Sequence, residues 1–205
     1  MIDAVARAQR LDSLRQKMDS TGIDLAAIAP SDNMAYLLGF TPHGDERACL
    51  LLVTPIGAAF VMPSLNAEQV AAEAPDLELL RWADEEGAQA ALVAAIELVA
   101  GGSAKQVAAD PEMRADHLLL LQAALPDART GSAASLLGQL REAKSVTELE
   151  ALQRASDAAD SAMLAAFAAL RPGVTEIAVG DAVARAFAAA GGTQEFGIEI
   201  GRAHV

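Results

Sequence analysis

The chain has 205 residues, 53% of them hydrophobic and 21% charged, a balance that excludes an intrinsically disordered protein. A formal net charge of −13 argues against a nucleic-acid partner, because phosphate contacts need clustered Lys and Arg. No apolar run approaches the roughly 20 residues that span a bilayer, and the amino terminus has no signal-peptide core. We therefore expect a cytoplasmic protein without a membrane partner.

Predicted strands and helices alternate through the first 128 residues. Short apolar runs bounded by turn residues predict strands over 24–29, 47–53, 58–62, 77–82 and 106–110. Helical spacing of apolar residues predicts helices over 4–19, 33–38, 67–74, 85–100 and 110–125. This alternation predicts an α/β fold, a mixed sheet with helices on both faces.

Capping residues mark where several of these helices begin. Ser31 precedes the second helix, and Asn66 with Gln69 has the spacing of a capping box before the third. Asp110, followed by Pro111 at the first helical position, is expected to open the helix that reaches residue 125.

The pattern changes to helices alone over residues 132–191, and a domain border is expected at 140–150. A capping box of Ser145 and Glu148 opens a long helix, and Thr175 caps a second one. Both helices carry apolar stripes that need a partner surface: Leu152, Met163, Phe167, Ile177, Val183 and Phe187.

Few side chains are candidates for chemistry. Cys49, the single cysteine, lies in the apolar run ACLLLV and is interpreted as a buried core residue. His117 is interpreted as a partly exposed helix residue, and no Cys/His spacing resembles a zinc site. The acidic run 84–86 precedes a predicted helix, where negative charge favours the amino-terminal dipole.

The loop TPHGDER, residues 41–47, concentrates His43, Asp45, Glu46 and Arg47. Two interpretations remain open. It is an ordinary solvated loop, or it has a role in substrate binding that only a family resemblance would imply.

Three stretches carry a resemblance to a known family. Residues 33–40 have the pattern N-x-x-Y-L-x-G-F, residues 140–160 read LREAKSVTELEALQRASDAAD, and residues 170–192 read LRPGVTEIAVGDAVARAFAAAGG. In this order they resemble the creatinase, aminopeptidase P and prolidase family. The resemblance implies a creatinase-like amino-terminal domain over 1–140, followed by the start of a truncated pita-bread catalytic domain over 141–198.

The resemblance implies that the complete protein is a metal-dependent Xaa-Pro dipeptidase or aminopeptidase and a homodimer. In the family, two divalent metals (Mn, Co or Zn) are held by two aspartates, a histidine and two glutamates. All five lie downstream of the second helix, so this chain is expected to bind no metal and to be inactive. In family dimers the 41–47 loop edges the partner's active-site mouth, where His43 and Arg47 would contact a substrate carboxylate.

Two alternatives share both domains. One is a small-molecule C–N hydrolase of the creatinase or ectoine-hydrolase kind, and the other is a metal-less family member that binds a peptide or protein. The final seven residues, EIGRAHV (199–205), depart from the family pattern. Back-translated and followed by a stop codon, they match a widely used sequencing adapter, so we expect an adapter-derived tail.

Overall fold

A computed structural model describes Ile2 and residues 4–192. These residues contain six strands in one sheet: β1 Leu25–Ile28, β2 Leu50–Val53, β3 Ala58–Pro63, β4 Glu78–Trp82, β5 Gln106–Ala109 and β6 Arg129–Ser132. They also contain eight α-helices: α1 Ala4–Thr21, α2 Asp32–Leu38, α3 Ala67–Glu73, α4 Gln89–Ala100, α5 Ala115–Ala124, α6 Ala134–Glu142, α7 Val146–Ala169 and α8 Glu176–Ala189. None of the described helices is long and apolar enough to cross a membrane.

The sheet has the strand order β4-β3-β2-β1-β5-β6. β2 runs antiparallel to both of its neighbours, whereas β3 with β4, β1 with β5, and β5 with β6 are parallel pairs. Five strands therefore point the same way, and their carboxyl ends lie along one edge of the sheet. The predicted mixed sheet is confirmed.

Helices cover both faces of this sheet, as predicted. Alternate strand residues point to opposite sides, so neighbours such as Leu51 and Leu52 belong to different buried clusters. One cluster includes residues of α1, α2, α3 and α6, and the other includes residues of α4 and α5. The central strands are buried on both faces, which explains why they appear in the sequence as continuous apolar runs.

Four details of the predicted elements are wrong. The capping box at Asn66 does not form, because a 3₁₀ turn over Ser64–Asn66 leads into α3 and Asn66 itself has helical φ and ψ. α4 begins only at Gln89, because residues 83–87 form a tight turn that ends at Gly87 with a φ of 70°. The acidic run 84–86 therefore lies in that turn and contributes no residue to the first turn of α4.

The other two errors concern β5 and its surroundings. α5 begins at Ala115, because Asp110 closes a local turn in which its carboxylate accepts the amide of Glu112 at 2.9 Å. β6 has no counterpart in the prediction. Its sequence RTGS is polar and largely exposed at the sheet edge, so it lacks the apolar pattern that marks a strand.

The chain divides into two compact units, one ending at Ala143 and one beginning at Lys144. In the second unit α7 packs on α8, with Ala162, Val179 and Val183 buried. The Ser145–Glu148 capping box and the Thr175 cap both form. Large apolar side chains of α7 are exposed within this unit: Leu149, Leu152, Met163, Leu164 and Phe167.

Candidate functional site

Several polar side chains of the first unit lie along the carboxyl edge of the sheet. Strand order reverses beside β1, since the chain passes from β1 to β2 on one side and later returns as β5 on the other. In open α/β sheets, ligands bind in the crevice at such a reversal. Ser31 follows β1 and Asp110 follows β5 at this position.

A polar cluster of the buried Ser31, Asn33 and Asp110 and the partly exposed Arg141 occupies the reversal. The Asp110 carboxylate accepts the Ser31 hydroxyl at 2.8 Å and the Asn33 amide nitrogen at 3.3 Å. Arg141 Nη1 donates to Asn33 Oδ1 at 2.8 Å. Ser31, Asn33 and Asp110 are all buried, so these hydrogen bonds replace the water that each group gives up.

This cluster joins three elements that are distant in the sequence. Ser31 caps α2 by accepting the amides of Asn33 and Met34, Asp110 ends β5, and Arg141 lies in the last turn of α6. Tyr36, one turn further along α2, donates its hydroxyl to the carbonyl of Leu140 at 3.0 Å. The cluster therefore fixes the end of α6 against α2, and we interpret it as structural support for the edge.

The 41–47 loop lies at the same edge, because it leads into β2. His43 is exposed, and Arg47 is 30% exposed. Arg47 Nε and Nη2 each donate to the Asp84 carboxylate at 2.9 Å, and Asp84 lies two residues after the end of β4. The structure thus places both predicted site residues on one loop and ties one of them to a neighbouring turn.

Charge pairing shifts the pKa values of these groups. The hydrogen bond to Asp84 and the charge of that carboxylate raise the pKa of Arg47 above its ordinary value. The same hydrogen bond lowers the pKa of Asp84. On α5, the hydrogen bond from Arg114 lowers the pKa of Asp116 to about 2. All four side chains are therefore charged at neutral pH.

His117 is not the partly exposed residue that the sequence predicted. It is 5% exposed, and its Nε2 lies 3.3 Å from the carbonyl oxygen of Glu46. The prediction failed because helical spacing alone does not show that the 41–47 loop folds over this position of α5.

Cys49 is buried, as predicted, and burial raises the pKa of its thiol to about 12. A thiol with that pKa is almost entirely protonated at neutral pH and is a poor nucleophile. It is therefore part of the core.

Sequence reasoning missed Asp84, Asp110, His117 and Arg141 as parts of this edge. A signal existed for Asp110, because it directly follows a buried strand in QVAAD, where parallel strands end together. Asp84, His117 and Arg141 have no comparable signal, since their partners are 37, 71 and 108 residues away.

Among Ile2 and residues 4–192, no three His, Cys, Asp or Glu side chains are arranged to hold a metal ion. The part of the chain that the structure describes therefore provides no ligand set for the metals that the family resemblance implies.

Comparison with known proteins supports the family resemblance. Residues 10–143 match the family model for the creatinase/prolidase N-terminal domain. A probable dipeptidase PepE of Mycobacterium bovis is 31% identical over 203 residues, which cover 97% of this chain and 53% of that protein. An Xaa-Pro dipeptidase of Lactobacillus delbrueckii subsp. lactis is 28% identical over 171 residues, 82% of this chain and 46% of the relative.

Similarity to solved structures also supports the family resemblance. The crystal structure of dipeptidase PepE from Mycobacterium ulcerans superposes with a TM-score of 0.79 at 30% identity, covering 92% of this chain and 51% of that one. The chain spans about half the length of the curated relatives it matches.

Proposed function

The chain belongs to the creatinase/prolidase N-terminal domain family, and on that premise we propose that it is the amino-terminal part of a metal-dependent Xaa-Pro peptidase of the dipeptidase or aminopeptidase type. One observation carries the proposal. The similarity to proteins named as dipeptidases continues beyond the matched domain, through the Ser145 capping box and both helices of the second unit.

In this proposal residues 1–140 form the amino-terminal domain, residues 141–198 begin the catalytic domain, and residues 199–205 are an adapter-derived tail. The tail and the end of the catalytic segment lie outside the described residues. Two divalent metals, Mn, Co or Zn, would be held by residues of the complete protein beyond this chain. The 205-residue chain itself is inactive in the proposal, and the complete protein is a cytoplasmic homodimer.

The substrate side of the proposal concerns the 41–47 loop. The imidazole of His43 is exposed. The loop that carries it is anchored at the carboxyl edge of the sheet by the contact between Glu46 and His117. We assign His43 as a substrate-facing residue. A neutral imidazole can accept or donate one hydrogen bond at each nitrogen, and a protonated one can bind a carboxylate.

The test is expression of the complete open reading frame and of the 205-residue chain side by side. The complete protein, supplied with Mn²⁺, Co²⁺ or Zn²⁺, should release proline from Xaa-Pro dipeptides, and the 205-residue chain should not. Release of proline by the 205-residue chain would contradict the proposal, because the metal ligands would then have to lie within that chain.

The same assay separates the two alternatives. Hydrolysis of creatine or of ectoine-type substrates without proline release would favour the C–N hydrolase. Failure to bind metal by the complete protein, together with peptide binding without hydrolysis, would favour the binding module.

A further inference from the structure

The guanidinium of Arg47 contacts three carboxylates. Its Nε and Nη2 donate to Asp84, and its Nη1 lies 3.3 Å from a carboxylate oxygen of Glu46 and 3.5 Å from one of Asp45. All three guanidinium nitrogens therefore contact protein carboxylates. Asp45 also accepts the backbone amide of Arg47 at 2.8 Å, which closes a local turn.

This arrangement disfavours a carboxylate ligand on Arg47. One positive charge is surrounded by the three negative charges of Asp45, Glu46 and Asp84, so a further carboxylate would meet net repulsion. An incoming carboxylate would also have to replace the paired hydrogen bonds with Asp84, whose two-point geometry suits a guanidinium.

The residues on either side of Arg47 are anchored from two other elements. The indole nitrogen of Trp82, at the end of β4, donates to the carbonyl of Ala48 at 3.0 Å. His117 of α5 lies within hydrogen-bonding distance of the carbonyl of Glu46. Trp82 and His117 are both buried, so these contacts give the loop a fixed base. The Arg47–Asp84 pair closes the exposed side of that base.

We propose that Arg47 is a positioning residue, held by Asp84, that fixes the conformation of residues 41–47 and is not a substrate ligand. The consequence for His43 rests on the proposed function: Arg47 and Asp84 together keep the loop in the conformation that presents this imidazole. Asp84 then contributes to the conformation of the loop, although it is 37 residues away.

The first test uses the 205-residue chain and amide hydrogen exchange of peptides that cover 41–47. Arg47→Gln and Asp84→Asn should each raise exchange of this segment about twofold to fivefold, the range of a partly exposed ion pair. The double variant should exchange no faster than Arg47→Gln, because the Arg47–Asp84 pair is already lost in that single variant. Asp12→Asn, which breaks the exposed pair with Arg15 on α1, is the matched control and should leave the loop unchanged.

Unchanged loop exchange in Asp84→Asn, or additive effects in the double variant, would overturn the proposal. A rise in exchange over the whole of residues 1–143 would also count against it, because the effect would then be global.

The second test uses the complete protein. If Arg47 positions the loop, Arg47→Gln and Asp84→Asn should both raise KM for an Xaa-Pro dipeptide, with kcat and the thermal unfolding midpoint retained. A raised KM in Arg47→Gln with no increase in exchange of the loop would show that Arg47 contacts the substrate directly and would overturn the proposal. If the complete protein hydrolyses no Xaa-Pro dipeptide, the proposed function fails, while the exchange comparison still decides the role of Arg47.

Discussion

Arg141 Nη1 donates a hydrogen bond to Asn33 Oδ1 at 2.8 Å, although the two residues are 108 positions apart. Asn33 opens the N-x-x-Y-L-x-G-F pattern, and Arg141 belongs to the LREAK stretch at the end of α6. Tyr36 and Leu140, members of the same two stretches, form a second hydrogen bond. Two of the three stretches that carry the family resemblance therefore bind each other directly.

Loss of this contact should destabilise the first unit. Arg141→Ala leaves Oδ1 of the buried Asn33 without its partner, so the free energy of unfolding should fall by about 1–3 kcal/mol. Trp82, the single tryptophan, is buried in this unit, and its fluorescence during urea unfolding measures the change.

A double-mutant cycle with Asn33→Ala isolates the pair, and we expect a coupling energy of about 1 kcal/mol. Arg154→Ala, on the exposed surface of α7, is the control and should change the stability of the first unit by less than about 0.5 kcal/mol. A coupling energy near zero would mean that the hydrogen bond to Asn33 contributes nothing and that Arg141 acts through its aliphatic stem or its ion pair with Asp32.

Asp76 should make the stability of the chain depend on acid pH. Burial raises its pKa, but hydrogen bonds and the charge of Arg7 outweigh burial, so the pKa lies below its ordinary value. A carboxylate with a depressed folded-state pKa contributes stability that is present above about pH 4 and lost as pH falls through the folded pKa.

Asp76→Asn should therefore flatten the loss of stability below pH 4, measured as the unfolding midpoint in urea at pH 2.5 to 6. The side chain of Asp76 is 48% exposed, so the change should stay below about 1 kcal/mol. Arg7→Met removes the Arg7 hydrogen bond and charge that lower the pKa of Asp76. It should therefore flatten the same part of the plot of stability against pH. Identical acid curves for the parent chain and Asp76→Asn would contradict this account.

Cys49 should be unreactive in the folded protein. With a pKa of about 12, roughly 10⁻⁴ of the thiol is ionised at pH 8, and the side chain is only 4% exposed. The disulfide reagent DTNB should label one thiol per chain in 6 M urea and almost none without denaturant. Because the chain has a single cysteine, Cys49→Ala measures the background signal of the assay. Rapid labelling of the folded chain would show that β2 opens locally.

The exposed apolar stripe of α7 should make the 205-residue chain associate. Met163 is 56% exposed and Phe167 is 63% exposed, and continuous apolar surface of this kind drives self-association. Replacing both with Gln should lower the apparent mass in sedimentation velocity at high protein concentration. Asp160→Asn, at an exposed position of the same helix, should not lower it. A monomeric parent chain at all concentrations would exclude this behaviour.

A chain that ends at Ala143 should be more soluble than the 205-residue chain, because it lacks the exposed apolar side chains of α7.

Limited proteolysis of the 205-residue chain should cut first between residues 140 and 147, where residues 142–147 are exposed. First cleavage within residues 24–82 would show that the first unit is the less stable one.

The sequence by itself determined the α/β class, the order of most elements and the caps at Ser31, Ser145 and Thr175, because these features depend on local contacts and on apolar periodicity. It also identified Cys49 as a core residue, since the surrounding run is apolar. The helix-start rule failed at Asp110, whose carboxylate accepts the local amide of Glu112 and also tertiary hydrogen bonds from Ser31 and Asn33.

Only the tertiary structure decided which polar residues meet at the carboxyl edge of the sheet. Asp84 pairs with Arg47, His117 lies beneath Glu46, and Asn33 binds Arg141 because strand order and register bring their elements together. Such pairs leave no periodic or spacing signal in a single sequence. β6 was hidden for a related reason, since an exposed edge strand is stabilised by backbone hydrogen bonds to β5 and needs no apolar side chains.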